Sequence, residues 1–514
     1  MLDFSQLPSA SHWKKIGVRP RHGIDIPLAS LRTRESSGIG EFFDMIPLID
    51  WCQELGFEVI QLLPLNDSGT DASPYNALSS SALHPIYLSL AHLPGHPEPP
   101  DASQLNALPR TSYHEVLSLK LNFLHQYFEI AGQEIAKSKP FQEFVTNNPW
   151  LFPYALFKVL KDKLQHISWQ SWPEELKKPN FKKLEAEHSQ EILFYLVLQY
   201  LCHLQLTEIK EYAHTKGILL KGDIPILISP ESADAWFKPH LFDFSYSAGA
   251  PPDAYNSEGQ YWGFPLFNWD DLKTTDFLWW KERLKVASYY YDLYRVDHVV
   301  GLFRIWAIPL GQHPKEGKFL PENPSLWIPE GKAILQMMLG ASSMLPIAED
   351  LGDIPASVRI ALQELGICGT KVIRWERRYD QDGAFIPFEE YSPLSMTTVS
   401  THDSETLQLW WQDPVNDAKE FCAFQGWTYS PDLSFERRME ILKKAHHTPS
   451  LFHINLLLEY LALFPELVAS HPADERINIP GKILPTNWTY RLLLPLEEIT
   501  KHAPLKKAIA SLLK

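Results

Sequence analysis

Seven short apolar runs, each stopping near an acidic residue, a proline or a glycine, limit how this chain can fold. They are Ile24–Leu28, Val59–Leu65, Ile218–Ile226, Leu293–Val299, Leu345–Glu349, Lys371–Trp375 and Thr397–Thr401. Runs of this kind read as strands covered on both faces, which belong to parallel sheets. Helical patterns lie between them. In Asp353–Glu364, for example, Asp353 is placed to cap the helix and Pro355 suits its first turn. Strand alternating with helix gives a parallel α/β sheet, either closed as a barrel or open and doubly wound.

The spacing of the runs is uneven. About 150 residues separate the second from the third, and a structureless loop of that length is rare in a compact domain. Much of the gap reads as helix, with Leu193, Leu196, Val197, Tyr200, Leu201 and Leu204 on one face. The expectation is therefore one catalytic domain over 1–514 with two insertions. A mainly helical one falls at about 92–215, entered through the Pro-rich stretch His92–Pro109, and a substrate loop falls at about 230–290.

Composition narrows the function. A net charge of -15 argues against a general nucleic-acid binder and against attraction to anionic membranes, and it suits a neutral substrate. Cys52, Cys202, Cys368 and Cys422 are far apart, which disfavours a disulfide framework or a structural zinc site. The first residues lack a signal-peptide core, and no stretch approaches 18 uninterrupted apolar residues, so a cytoplasmic soluble protein is expected. With 17 Trp and 20 Tyr, the chain has either a large aromatic core or a cleft of flat rings able to meet the apolar face of a sugar.

Three acidic residues end three of the runs: Asp297 in YRVDH, Glu349 in PIAED and Asp403 in STHDSE. Each has an ordinary explanation. Asp297 can pair with Arg295, Glu349 can sit at a wet strand end, and Asp403 can bond backbone in a turn. Together they suggest chemistry, because strand ends of a β/α barrel converge on one face. Arg295, His298 and His402 are placed to offset the clustered charge. A retaining glycosidase needs such a pair of carboxyl groups, one as nucleophile and one as acid/base. A second constellation is Ser247–Trp269, Gly/Pro-rich and expected to be too irregular for strand or helix. It carries Asp253, Tyr255, Gln260, Tyr261 and Trp262. A third, Ser73–Ser81, follows the second run and would reach the same face. The pair His446–His447 reads as a helix end. GxGxxG, P-loop and GxSxG signatures are absent.

These segments, in order, resemble the 4-α-glucanotransferase (amylomaltase, or disproportionating enzyme) family over nearly the whole chain. The match runs from Gly23–Phe42 through SPYNALSSS, GILLKGDIPILISP, AGAPPDAYNSEGQYWG, YRVDHVVG, IAEDLG and STHDSET to Arg476–Leu492. The resemblance implies an α-amylase-type (β/α)8 barrel with inserted, largely helical subdomains. It implies transfer of α-1,4-glucan segments to the 4-hydroxyl of glucose or another glucan, with no cofactor and no metal. It implies Asp297 as nucleophile, Glu349 as acid/base and Asp403 as transition-state stabiliser. Arg295 and His402 would contact the reacting sugar, with Tyr75 and Trp262 in the glucan cleft. Asp253, Gln260 and His298 complete the expected substrate-binding set. Members commonly read RIDHFRG where this chain has Val299 and Val300, and Asp where it has Glu405; the first departure bears on acceptor preference. An amylase-type hydrolase and an inactive glucan-binding protein are the competing readings.

Overall fold

A computed structural model describes residues 3–252, 257–379 and 381–514. Its central feature is a sheet of eight strands: β1 Arg21–Asp25, β2 Val59–Gln61, β3 Leu219–Ile224, β4 Leu293–Val296, β5 Leu345–Ala348, β6 Gly369–Val372, β7 Ser395–Thr398 and β8 Phe452–Leu456. They lie in the order β5-β4-β3-β2-β1-β8-β7-β6, and every pairing is parallel. The two ends meet where Ile347 bridges Cys368, with the Ala348 N–H donating to the Cys368 carbonyl at 2.7 Å. The sheet thus closes as a (β/α)8 barrel and is not the open alternative.

Each of the seven apolar runs contains or overlaps one strand. The eighth strand, FHINL, was not among them because His453 and Asn455 interrupt its apolar character. Both are buried. His453 stacks on His22 of β1, its register partner, and the Asn455 amide oxygen accepts from the Val399 N–H at 2.9 Å. The expected cap at Asp353 is also corrected. Helix Ala356–Leu365 starts after Pro355 with no side-chain cap, while Asp353 faces Arg304 at 3.4 Å.

Alternation along the strands turns every second side chain into the barrel, and these inward residues differ between its two ends. The lower half is apolar: Val59, Leu293, Leu345, Ile347, Cys368, Met396, Phe452 and Ile454 pack with Trp13 and Ile16. These last two come from the helix Ala10–Ile16, which plugs the bottom; the Trp13 indole N–H donates to the Gly366 carbonyl at 2.8 Å. The upper half is polar and buried, with Asp25, Gln61, Lys221, Asp223, Arg295, Thr370 and Thr398.

Between β2 and β3 the chain builds a helical region that includes Tyr113–Lys137, Leu151–Lys163 and Ser189–Thr215. The last is apolar and long enough to cross a membrane, but 67% of its most apolar window is buried inside the fold. It is surrounded on several sides by helices, so the single apolar face expected for it does not hold. Phe194, Tyr195 and Leu198 are buried, while Leu204 is exposed.

The segment expected to be irregular contributes strands. Tyr246–Ala250 and Gln260–Tyr261 pair antiparallel and join Ile305–Pro309 and Lys318–Leu320 in a four-stranded sheet. Gly249 permits this close pairing, since a Cβ there would lie 2.1 Å from the Gln260 carbonyl oxygen. Here a glycine that suggested irregular backbone marks the close approach of two paired strands.

Candidate active site

At the C-terminal ends of the barrel strands lies a cleft of about 520 Å³. Nine of the ten expected site residues line it: Tyr75, Gln260, Trp262, Arg295, Asp297, His298, Glu349, His402 and Asp403. The tenth, Asp253, lies outside the described residues, as does Tyr255.

Arg295 organises the centre. Its Nη1 donates to both carboxylate oxygens of Asp223, at 3.1 and 2.9 Å, and lies 2.8 Å from Asp297 Oδ1. Its Nη2 is 3.7 Å from Glu349 Oε2. The pairing of Asp297 with Arg295, offered by the sequence as an ordinary explanation, is present. The same guanidinium reaches Glu349, so the pairing belongs to the cluster and does not compete with it.

Glu349 is held by backbone. Its Oε2 accepts from the His298 N–H at 2.8 Å and its Oε1 from the Leu351 N–H at 2.9 Å. Burial pushes its carboxyl up; Arg295 and the two N–H donors pull it down, and the charge of Asp297 pushes it up again. The outcome is about 7. His298 takes the left-handed conformation, with φ 42°, which costs energy for a residue with a Cβ and turns its N–H toward Glu349. Burial depresses the His298 ring to about 4, so it is neutral at pH 7, and its edge meets Trp262 at 4.9 Å.

Asp403 lies five residues beyond the end of β7, partly open to the cleft. Its Oδ1 accepts from the Asn478 amide at 2.7 Å, and its Oδ2 is 3.2 Å from His402 Nε2. Burial alone would raise this carboxyl, but His402 and Asn478 outweigh it and hold it below the usual carboxylate range. For His402 burial works against the charged form, and Asp403 reverses the balance, raising the ring above its ordinary value. Tyr75 ties the two halves together. Its hydroxyl donates to Asp223 Oδ2 at 2.8 Å and lies 3.0 Å from His402 Nε2.

Several lining residues were not singled out from sequence: Asp25, Asp223, Trp375, Asn478 and Trp488. Asp25 ends its strand and Asp223 is the next-to-last residue of its own; an acidic residue in an apolar run is the signal that could have found them. Asn478 and Trp488 sit in the tail INIPGKILPTNW, where no local pattern shows that the chain returns to the barrel mouth. Trp488 packs against Tyr75 and His402, at 5.4 and 5.9 Å between ring centroids.

A closed barrel with carboxyl groups gathered around one arginine, and with indole rings of Trp262, Trp375 and Trp488 on the walls, defines a carbohydrate-active barrel enzyme. The profile of the 4-alpha-glucanotransferase family matches residues 26–496, and the chain belongs to that family. It is 46% identical to a 4-alpha-glucanotransferase of Chlamydia pneumoniae over 98% of both chains. It is 44% identical to that of Chlamydia trachomatis, over 97% of this chain and 96% of the relative. The fold is shared with an amylomaltase from Streptococcus agalactiae, solved in complex with acarbose. That likeness has a TM-score of 0.83 at 24% identity and covers 96% of this chain and 98% of the other. The protein is thus a glucan-transferring enzyme; the hydrolase and inert-binder alternatives fall away.

Proposed function

We propose that this chain disproportionates α-1,4-glucans, such as maltooligosaccharides, with glucose among its acceptors, through a covalent intermediate on Asp297. Glu349 gives its proton to the glycosidic oxygen as the bond from that oxygen to the anomeric carbon breaks. An Asp297 oxygen forms the new bond to that carbon, and the shortened chain leaves. The 4-hydroxyl of an acceptor then passes its proton to the ionised Glu349 and attacks the anomeric carbon, releasing Asp297. Asp403, held ionised by His402 and Asn478, accepts hydrogen bonds from sugar hydroxyls that strengthen as the ring gains positive charge. Arg295, His402 and Tyr75 hold the reacting ring, with Trp262 and Gln260 on the wall beside it.

The observation that carries this reading is the pairing of Asp297 with a Glu349 raised to about 7, both within reach of one guanidinium. A general acid near the working pH is the form this chemistry needs. The aromatic-walled cleft suits a glucan, and an acceptor ring stacked there displaces water from the intermediate. Incubation with maltotriose tests it: free glucose appears together with chains longer than maltotriose, and Asp297→Asn abolishes both. Only shorter products, or an Asp297→Asn variant with near-normal turnover, would defeat the reading.

A further inference from the structure

The helical region between β2 and β3 places no residue in the cleft, yet it grips both ends of the loop that delivers Tyr75. The loop begins at Asp67, which is fully buried. The Asp67 N–H donates to the Ala82 carbonyl at 2.9 Å, and the Asp67 carbonyl accepts from the Leu78 N–H at 2.6 Å, which closes the neck. The Asp67 carboxylate accepts from the Gly69 N–H at 2.8 Å and from the Tyr154 hydroxyl at 2.6 Å, and it pairs with the Lys158 ammonium at 3.0 Å. Tyr154 and Lys158 both belong to helix Leu151–Lys163. At the other end, the Gln199 amide of helix Ser189–Thr215 brackets Leu83, accepting from its N–H at 2.9 Å and donating to its carbonyl at 2.8 Å. The same amide nitrogen is 3.3 Å from the Tyr154 hydroxyl, so the two grips are joined. Inside the loop, Asp71 accepts from the Ser73 N–H at 2.9 Å and the Asn76 amide at 2.7 Å, leaving little slack around Tyr75.

A buried carboxylate this heavily bonded is unlike the exposed polar residues that usually make up loops. Burial would push Asp67 toward its neutral form; Lys158, His84, Tyr154 and Gly69 overcome that and keep it charged. We propose that Asp67, Lys158 and Tyr154 form a latch that positions Tyr75 for transfer, so that the helical region acts in catalysis without touching the glucan. This rests on the reading above that Tyr75 works at the reacting sugar. Displacing a positioned group by a fraction of an ångström lowers the rate of the chemical step more than it weakens substrate binding.

The test compares kcat and KM on maltotriose for Lys158→Met, Lys158→Arg, Tyr75→Phe and the double variant Lys158→Met/Tyr75→Phe. Lys158→Met is expected to lower kcat about tenfold with KM within about threefold, and Lys158→Arg to recover most of the loss. On the Tyr75→Phe background, Lys158→Met is expected to add less than about twofold, because the hydroxyl it positions is gone. Losses that multiply in the double variant, or an unchanged kcat in folded Lys158→Met, overturn the inference while leaving the site reading intact. A Tyr75→Phe variant with undiminished kcat removes the site reading and the inference with it. If Lys158→Met does not fold, Tyr154→Phe, which deletes one hydroxyl and keeps the ion pair, takes its place in the same cycle.

Discussion

Replacing Glu349 by glutamine will flatten the dependence of stability on pH, and the structure gives the size of the effect. The Glu349 carboxyl moves from its ordinary 4.5 to about 7 in the fold, with burial the leading cause. Between those values the folded protein keeps a proton that the unfolded chain has lost. The stabilisation is therefore complete below the unfolded value and disappears as pH rises through the folded one. The shift corresponds to roughly 3 kcal/mol in full, of which about 2 kcal/mol is lost between about pH 5.5 and pH 8.5. Only 14% of the side chain is exposed, so solvent screens little of this. Glutamine is neutral throughout and loses none of it. It does bring an amide nitrogen against the His298 or Leu351 N–H, which now donate to Glu349, but that cost does not depend on pH and cancels in the comparison. Denaturant midpoints of both proteins at the two pH values give the number, because every other titrating group is common to both. Parallel pH profiles would refute the raised carboxyl, and with it the choice of Glu349 as the proton donor.

Other outcomes follow from the same geometry. The kcat/KM for maltotriose falls on the alkaline side with an apparent value of about 7, as Glu349 loses its proton in the free enzyme; a profile flat to about pH 9 would contradict this. Asn478→Leu removes the 2.7 Å bond to Asp403 and lowers kcat about tenfold with a small change in melting temperature, measured on maltotriose and by thermal unfolding. Trp13→Ala opens a cavity in the barrel floor and costs roughly 3–5 kcal/mol in denaturant unfolding, while turnover per folded molecule stays near normal because the cleft is at the opposite end.

The barrel was legible where strands were apolar and the site where motifs were contiguous. Asp297 and Asp403 carry flanking Arg or His, and all three of Asp297, Glu349 and Asp403 lie at or beyond apolar runs, so their convergence could be argued from strand ends alone. What escaped notice depends on contacts distant in sequence. Strand β8 hides because His453 stacks on His22 and Asn455 accepts from the Val399 N–H, contacts with other elements that no local pattern reports. The paired strands Tyr246–Ala250 and Gln260–Tyr261 looked irregular because Gly249 and Gly259 serve close backbone approach, visible only once the partner strand is in place. Asn478 and Trp488 return to the cleft from the far end of the chain, guided by contacts such as the Trp488 N–H to the Ile477 carbonyl and the Asn478 N–H to the His402 carbonyl.

The arrangement around Arg295 also explains why Asp223 belongs to the working site although it was not singled out. A guanidinium facing only Asp297 and Glu349 could swing between them. Asp223, fully buried and accepting twice from Nη1, tethers that end of the guanidinium and shares its charge. Asp297 then keeps a short contact at 2.8 Å, while Glu349 is left at 3.7 Å, too far for a hydrogen bond. One cation thus treats two neighbouring carboxyl groups unequally, which suits the roles proposed for Asp297 as nucleophile and for Glu349 as a proton donor raised to about 7.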